Sequence, residues 1–359
     1  MVLTGPGKDR REDRVGKNLL VERLRQSLES FEPSRVFGNR RNLRAFHIAK
    51  YIAVPHSWPA MSISPAEAVD FLSTYFDGEV SSIEVLVGGD WSQAFGFVLD
   101  GLHLVARFGQ HEDDFLKDRT AARFKAPSLP IPQVLAIGKA PGGFFCVSER
   151  KFGTMLEELG AAAMSRALPS VLAALDAMRE ADFGVWAAEL GAPETSWANQ
   201  LLSVDDENDR IFGWHDAIAE SPIGIDPYQK ALAYLEASAA DLPEGKHLLH
   251  NDLLHRNVLV ADDAITGVFD WGCAGCGDFL YDLALFTFYQ PWFPEMASID
   301  WQAEAVRHYQ QIGVDVPDFE WRLRCYEVHL GLAGMAYNGF LRDWKDLEAH
   351  ALRTLSRIN

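Results

Sequence analysis

The stretch from Lys246 to Asp270 constrains this chain more than any other. It reads His250-Asn251-Asp252-Leu253-Leu254-His255-Arg256-Asn257, then two short apolar runs, Val258–Val260 and Ile265–Phe269, then Asp270-Trp271-Gly272. Runs this short, with a turn between them, predict strand, turn, strand rather than a helix. If that hairpin folds back, it brings the polar residues before it, Asp252 and Asn257, beside the one that follows it, Asp270. The chain must therefore supply a fold around a β-rich island with a convergent polar mouth.

The flanking sequence says what kind of fold. Ser64-Pro65-Ala66-Glu67 has the pattern of an N-cap, with Pro at the first helical position and Glu at the third, and predicts a helix to about Tyr75. Strands are predicted at Ile83–Val87, Ala94–Leu99 and His103–Phe108, with Asp100-Gly101 as a two-residue hairpin turn. A polar helix over Glu112–Lys125 stops at Pro127, and two more strands follow at Gln133–Ile137 and Phe144–Glu149. A five-stranded antiparallel sheet interrupted by one helix accommodates these pieces. Beyond Arg150 the pattern is mainly helical. Leu168, Val171, Leu172, Leu175 and Met178 recur at helical spacing behind Pro169, and further helices are predicted over 227–240, 278–288, 301–311 and 321–335. The fold class is α+β with two lobes: an antiparallel sheet lobe with one helix over 61–150 and a larger, mainly helical lobe over 151–359. Residues 1–60 read as a basic extension with one short amphipathic helix around Leu19–Leu28.

Charge narrows the partners. Residues 1–60 carry 12 Lys and Arg against 6 Asp and Glu, a balance of +6, so the remainder holds −24 of the total −18. An acidic body repels phosphate backbones, which argues against nucleic acid, and raises the local concentration of cationic ligands. No run approaches the ~18 apolar residues of a membrane span. Four cysteines (Cys146, Cys273, Cys276, Cys325) are too few for a disulfide scaffold, and no secretory leader opens the chain, so a reducing cytoplasm is the expected compartment. No protein partner is implied; a monomer or weak dimer is expected.

The polar order in the island, with Asn five residues after the first Asp and a second Asp beyond a hairpin, matches the phosphotransfer pattern H-R-D-L-x-x-x-N followed by D-F-G. Moving a phosphoryl group to an alcohol needs a carboxylate within reach of the attacking hydroxyl and oxygen ligands that hold Mg²⁺ against the triphosphate. Asp252 suits the first need, with His250 two residues before it as the expected catalytic partner. Asn257 and Asp270 suit the second, one neutral and one charged oxygen donor. Gly88-Gly89-Asp90-Trp91-Ser92-Gln93 joins two strands where a loop can fold over phosphates, with Gly89, Ser92 and Gln93 as donors; a plain hairpin turn reads the same way. Arg107 on the third strand stands where kinases place the phosphate-binding Lys, and Asp118 in the next helix is its expected partner.

From about Ser64 onward the chain resembles the aminoglycoside phosphotransferase family, and within it the hygromycin B branch. The resemblance is carried by Phe115-Leu116-Lys117-Asp118-Arg119, Leu129-Pro130-Ile131-Pro132-Gln133-Val134-Leu135, His247-Leu248-Leu249-His250, the Asp252 and Asn257 pair, Asp270-Trp271, Gly277-Asp278 and Pro291-Trp292. It covers about five-sixths of the chain. It implies the two-lobed protein-kinase-like fold, Asp252 as base, Asn257 and Asp270 as Mg²⁺ ligands, Asp278 as support for the catalytic loop, and adenine against the backbone at Ser148, Glu149 and Arg150. Asp118 stands where the broad family has Glu, and Val105-Ala106-Arg107 replaces its Lys-bearing strand. ATP is the implied nucleotide, with GTP open, and the acceptor is a cationic aminocyclitol such as hygromycin B.

Other readings stay open. The same chemistry suits a macrolide, choline, a hydroxylated amino acid or an endogenous sugar, and a silent nucleotide-binding module has the same outline. The segment after Asp270 is short for a protein-kinase activation loop. Cys273-Ala274-Gly275-Cys276 lacks a second ligand pair for zinc, and neither G-x-S-x-G nor H-E-x-x-H occurs. Candidate acceptor contacts are Asp205, Asp206, Asp216, Trp292 and Glu295, although a charge run such as 205–209 is more often a solvated loop.

Overall fold

The structure, a computed structural model, describes residues 63–86, 91–181, 196–208 and 210–358. The helix expected near Leu19 and the turn at Gly88-Gly89-Asp90 lie outside these residues, as does Asp209.

The described residues form two compact units, one of residues 63–110 with 138–148 and one of 111–137 with 149–358. In the first, helix α1 (Pro65–Phe76) starts as its sequence requires. The Ser64 hydroxyl accepts the Glu67 amide at 3.2 Å and the Glu67 carboxylate accepts the Ser64 amide at 2.8 Å. Strands β1 (Val80–Leu86), β2 (Ser92–Leu99), β3 (Leu102–Gly109), β4 (Val134–Ala140) and β5 (Gly143–Glu149) form one sheet in the order β1-β2-β3-β5-β4, residues 134–137 and Glu149 of which are counted in the second unit. β2 and β3 pair antiparallel from Ser92↔Gly109 to Leu99↔Leu102. Asp100 (φ 49°) and Gly101 (φ 83°) make the turn between them, both left-handed as the twist of a two-residue hairpin demands. Phe95, Phe97, Phe108 and Phe145 are fully buried, and Phe71 of α1 meets Phe145 edge-on at 4.9 Å.

The second unit begins with helix α2 (Glu112–Ala121), so the helix that interrupts the sheet in sequence belongs with the helical residues in space. Helix α3 (Ala161–Glu180) runs straight through Pro169, where the sequence reading begins it only behind that proline. One missing N–H costs less than interrupting the apolar face of Met164, Ala167, Leu168, Val171, Leu172 and Leu175, all buried. Helices α4 (Trp197–Leu202), α5 (Trp214–Glu220) and α6 (Asp226–Ala239) precede the β island. After it come α7 (Leu280–Tyr289), α8 (Trp301–Ile312), α9 (Phe319–Leu341) and α10 (Trp344–Ile358). α9 and α10 lie close because Gly331 and Gly334 face Thr354 and His350; a Cβ on either glycine would fall 1.8 and 2.1 Å from those side chains.

The island is two small sheets. β8 (Val258–Ala261) and β9 (Ala264–Val268) form the expected hairpin, and β6 (Thr154–Met155) adds to the β8 edge. Asp262 (φ 50°) and Asp263 (φ 63°) supply its turn. β7 (His247–Leu249) pairs antiparallel with β10 (Gly275–Gly277). The catalytic-loop candidates therefore lie between β7 and β8, and the Asp270 segment between β9 and β10. Fully buried Trp271, Trp214 and Trp301 and the stripe of α3 form the core behind them. Each large apolar side chain withdrawn from water contributes about 1.5–3 kcal/mol.

Candidate active site

The loop from His250 to Asn257 folds polar side chains back onto its own backbone. His250 is 0% exposed. Its Nδ1 accepts the Asp252 amide at 3.2 Å, so Nε2 carries the proton and donates to the Phe269 carbonyl at 3.0 Å. His250, expected to share the chemistry with Asp252, is buried with both ring nitrogens bonded to backbone, one of them within the loop itself.

Asp252 remains half-buried, and its carboxylate is gripped from two sides. Oδ1 meets His255 Nδ1, and Oδ2 accepts Asn257 Nδ2 at 3.1 Å. The same Nδ2 donates to the Asp252 carbonyl at 2.7 Å. With its nitrogen turned to Asp252, Asn257 presents its carboxamide oxygen as a ligand atom. Asp270 adopts φ 64° between two anchored neighbours: Phe269 N donates to Asn257 O at 3.0 Å, and Trp271 N to Asp118 Oδ1 at 2.8 Å. Asn251 Nδ2 reaches Cys273 O at 2.9 Å, so the two loops are cross-tied. Cys273, exposed between them, has its thiol pKa raised, with Asp252 and Asp270 both contributing. An amide oxygen and a carboxylate are hard donors, the set Mg²⁺ takes when phosphates and water supply its other positions. Among the described residues no group of three or more His, Cys, Asp or Glu forms a closed metal cage. The donor set thus fits a nucleotide-borne Mg²⁺.

Asp278, expected to support the loop, lies between β10 and α7. That side chain, 1% exposed, receives Arg322 Nε and Nη2 at 2.8 and 2.6 Å and the Tyr326 hydroxyl. Asp282, in the first turn of α7, reaches the loop directly: its two oxygens accept the amides of His250 and Asn251, each at 2.8 Å. Burial raises the Asp282 pKa against these bonds. A lone acid in the apolar run Leu280–Tyr289 was the signal that sequence reasoning passed over. His255 is the second omission, and Tyr289 the third. The Tyr289 ring meets His255 edge-on at 5.2 Å, and its hydroxyl pKa is raised by burial and then by Asp252.

The remaining expectations divide. Lys117 Nζ donates to Gly272 O at 3.0 Å, so α2 holds the Asp270 segment through both Lys117 and Asp118. Ser92 opens β2, and Gln93 Oε1 accepts the Ile63 amide at 3.1 Å. Arg107 stands on β3 opposite Ala94. Ser148 and Glu149 end β5; burial opposes the Glu149 charge, but Lys151 and Lys125 outweigh it and hold its pKa below the usual carboxylate range. Arg150 lies over the Phe152 ring at 5.1 Å. Gly89 is outside the described residues. Asp205 is committed to His215 at 3.0 Å, Asp206 caps the turn that follows α4, and Asp216 and Glu295 sit in the first turns of short helices. Trp292 is the member of that set whose ring contacts lead back to Asp252, through Tyr289 at 5.6 Å and then His255.

Residues 86–321 match the APH model, the phosphotransferase enzyme family. The chain is 33% identical over 270 residues to the hygromycin-B 4-O-kinase of Escherichia coli, spanning 73% of this chain and 76% of that one. It belongs to this family. Among solved structures, a thermostable mutant of aminoglycoside phosphotransferase APH(4)-Ia, in ternary complex with AMP-PNP and hygromycin B, aligns with TM-score 0.70 and 28% identity over 81% of this chain and 97% of that one. Spectinomycin phosphotransferase APH(9)-Ia, with ADP and spectinomycin, shares the fold at 12% identity and TM-score 0.58, covering 82% of this chain and 99% of that one. The α+β, two-lobed reading of the sequence is thus the fold of this family, and the protein is a phosphotransferase. No helix among the described residues is long and apolar enough to cross a membrane.

Proposed function

We propose that this phosphotransferase moves the γ-phosphoryl group of ATP to a hydroxyl of hygromycin B or a closely related cationic aminocyclitol, in the cytoplasm, and so confers resistance. The observation that carries the reading is the Asp252 carboxylate, aimed by Asn257 and His255 on a loop that Asp282 suspends across from Asp270. Asp252 accepts a hydrogen bond from the acceptor hydroxyl, orients its lone pair for in-line attack and takes up its proton as the new P–O bond forms. Asn257 Oδ1 and the Asp270 carboxylate hold Mg²⁺, which when bound neutralises charge on the β- and γ-phosphates. Ser92, Gln93 and Arg107 engage phosphate oxygens, and the backbone at Ser148–Arg150 receives the adenine.

Two things support this acceptor. The 33% identical relative is named for phosphorylating hygromycin B at its 4-oxygen. The body of this chain is strongly acidic, and Trp292 with Tyr289 and His255 forms an aromatic path to Asp252, a surface suited to a ring that bears ammonium groups. The test is ADP release and product mass with hygromycin B. Wild type is expected to add one phosphoryl group, located by NMR at the 4-position, and Asp252→Ala to lose turnover by about 10³-fold or more with its melting temperature kept. Turnover that survives Asp252→Ala rejects the assignment; ADP release with another alcohol and none with hygromycin B rejects the acceptor.

A further inference from the structure

The β6 strand ends in a tight turn, Leu156–Glu158, that places two acids against the catalytic loop. β6 pairs with β8 in the register Thr154↔Val260 and Met155↔Leu259, and extending that register two residues sets Glu157 opposite Asn257. Glu157 Oε1 accepts the Arg256 amide at 2.8 Å, an N–H that also reaches Leu254 O at 2.9 Å. Glu158 takes the Arg256 guanidinium at 2.7 Å. Arg256 itself has φ 65°, a left-handed conformation that a side chain of this kind adopts at a cost of ~1 kcal/mol or more. It is the residue immediately before Asn257, and its bend turns the Asn257 carboxamide back toward Asp252. The second Glu157 oxygen is buried without a partner among the described residues, so this carboxyl is spent on one bond.

We infer that Glu157 is a positioning residue for phosphoryl transfer: by accepting the Arg256 amide it holds the left-handed bend that delivers Asn257 to Asp252. The inference rests on the phosphotransfer reading. The bond touches neither nucleotide nor acceptor directly and acts through Asn257 and Asp252, so its loss should lower kcat and leave the KM for hygromycin B alone. What it supplies is an acceptor oxygen, which a carboxamide also has and a thioether lacks.

The experiment compares wild type, Asp252→Asn, Glu157→Gln, Glu157→Met and Glu157→Ala, following ADP release from Mg-ATP with and without hygromycin B, with circular dichroism and melting recorded for each. Glu157→Met keeps the length and packing of the side chain, so it decides the matter if the alanine variant does not fold. Expected are a kcat about tenfold or more below wild type for Met and Ala, KM for hygromycin B within about twofold, and Gln within about threefold of wild type in kcat. The inference is overturned if Met and a folded Ala keep kcat within twofold, if the KM for hygromycin B moves in place of kcat, or if Gln is as impaired as Met. An Asp252→Asn enzyme with unchanged ADP release overturns the phosphotransfer reading instead, so the two failures are told apart.

Discussion

Replacing Asp282 by Asn tests whether one buried carboxylate carries the catalytic loop. Its two oxygens each accept a loop amide at 2.8 Å, from His250 and from Asn251, and the residue is 1% exposed. An Asn of the same shape offers one oxygen and one NH₂, so one amide keeps an acceptor while the other faces a donor. A hydrogen bond to a charged group contributes about 1.5–3 kcal/mol, and a buried amide left without an acceptor costs about 1–3 kcal/mol. Relief from burying the carboxylate, whose pKa is raised by that burial, offsets part of the loss. The balance is a destabilisation of about 2–4 kcal/mol. If the loop must be drawn into place at about 2 kcal/mol in each turnover, kcat falls about 30-fold. Urea unfolding followed by circular dichroism gives the first quantity and steady-state ADP release the second. A variant within about 0.5 kcal/mol of wild type in unfolding free energy and within twofold in kcat would refute the claim that Asp282 holds the loop.

Two further outcomes follow from buried charge. Arg322→Met leaves Asp278 enclosed with only the Tyr326 hydroxyl and the Leu280 amide, and should cost about 3–5 kcal/mol by urea unfolding; a loss below about 1 kcal/mol means the ion pair is dispensable. His329 is bonded to the Tyr281 hydroxyl at 2.8 Å, and burial holds its pKa at about 4, against 6.5 in an open chain. Below pH 6.5 the unfolded chain binds a proton that the folded state refuses until about pH 4, so stability present above pH 6.5 is lost as pH falls, by about 3 kcal/mol in all. His329→Gln should flatten that acid limb of the stability curve; an unchanged limb shows that another group is responsible.

The parts of the site that sequence reveals are those whose geometry is local. Asp252 and Asn257 are five residues apart on one loop, and Asp270 is returned to them by a hairpin that its own short apolar runs predict. The helix caps and the Asp100-Gly101 turn are legible for the same reason. What escapes is set by packing between distant segments. Glu157 reaches Arg256 because a two-residue strand, too short to announce itself, pairs with β8. Asp282 reaches the loop from the far side of three strands, β8, β9 and β10. His250 looks reactive by its place in the motif, and only burial shows that its nitrogens are taken. Pro169 misleads for a related reason, since local preference yields there to a long buried face.

One feature of the chain downstream of Asp270 bears on control. Just four residues, Trp271–Ala274, separate that aspartate from a strand already welded to the one that leads into the catalytic loop. Such a stretch has no slack to swing aside or to carry a phosphate that would call it back. Asp270 is therefore kept beside the catalytic loop by the fold itself, with no long segment between it and that strand to rearrange.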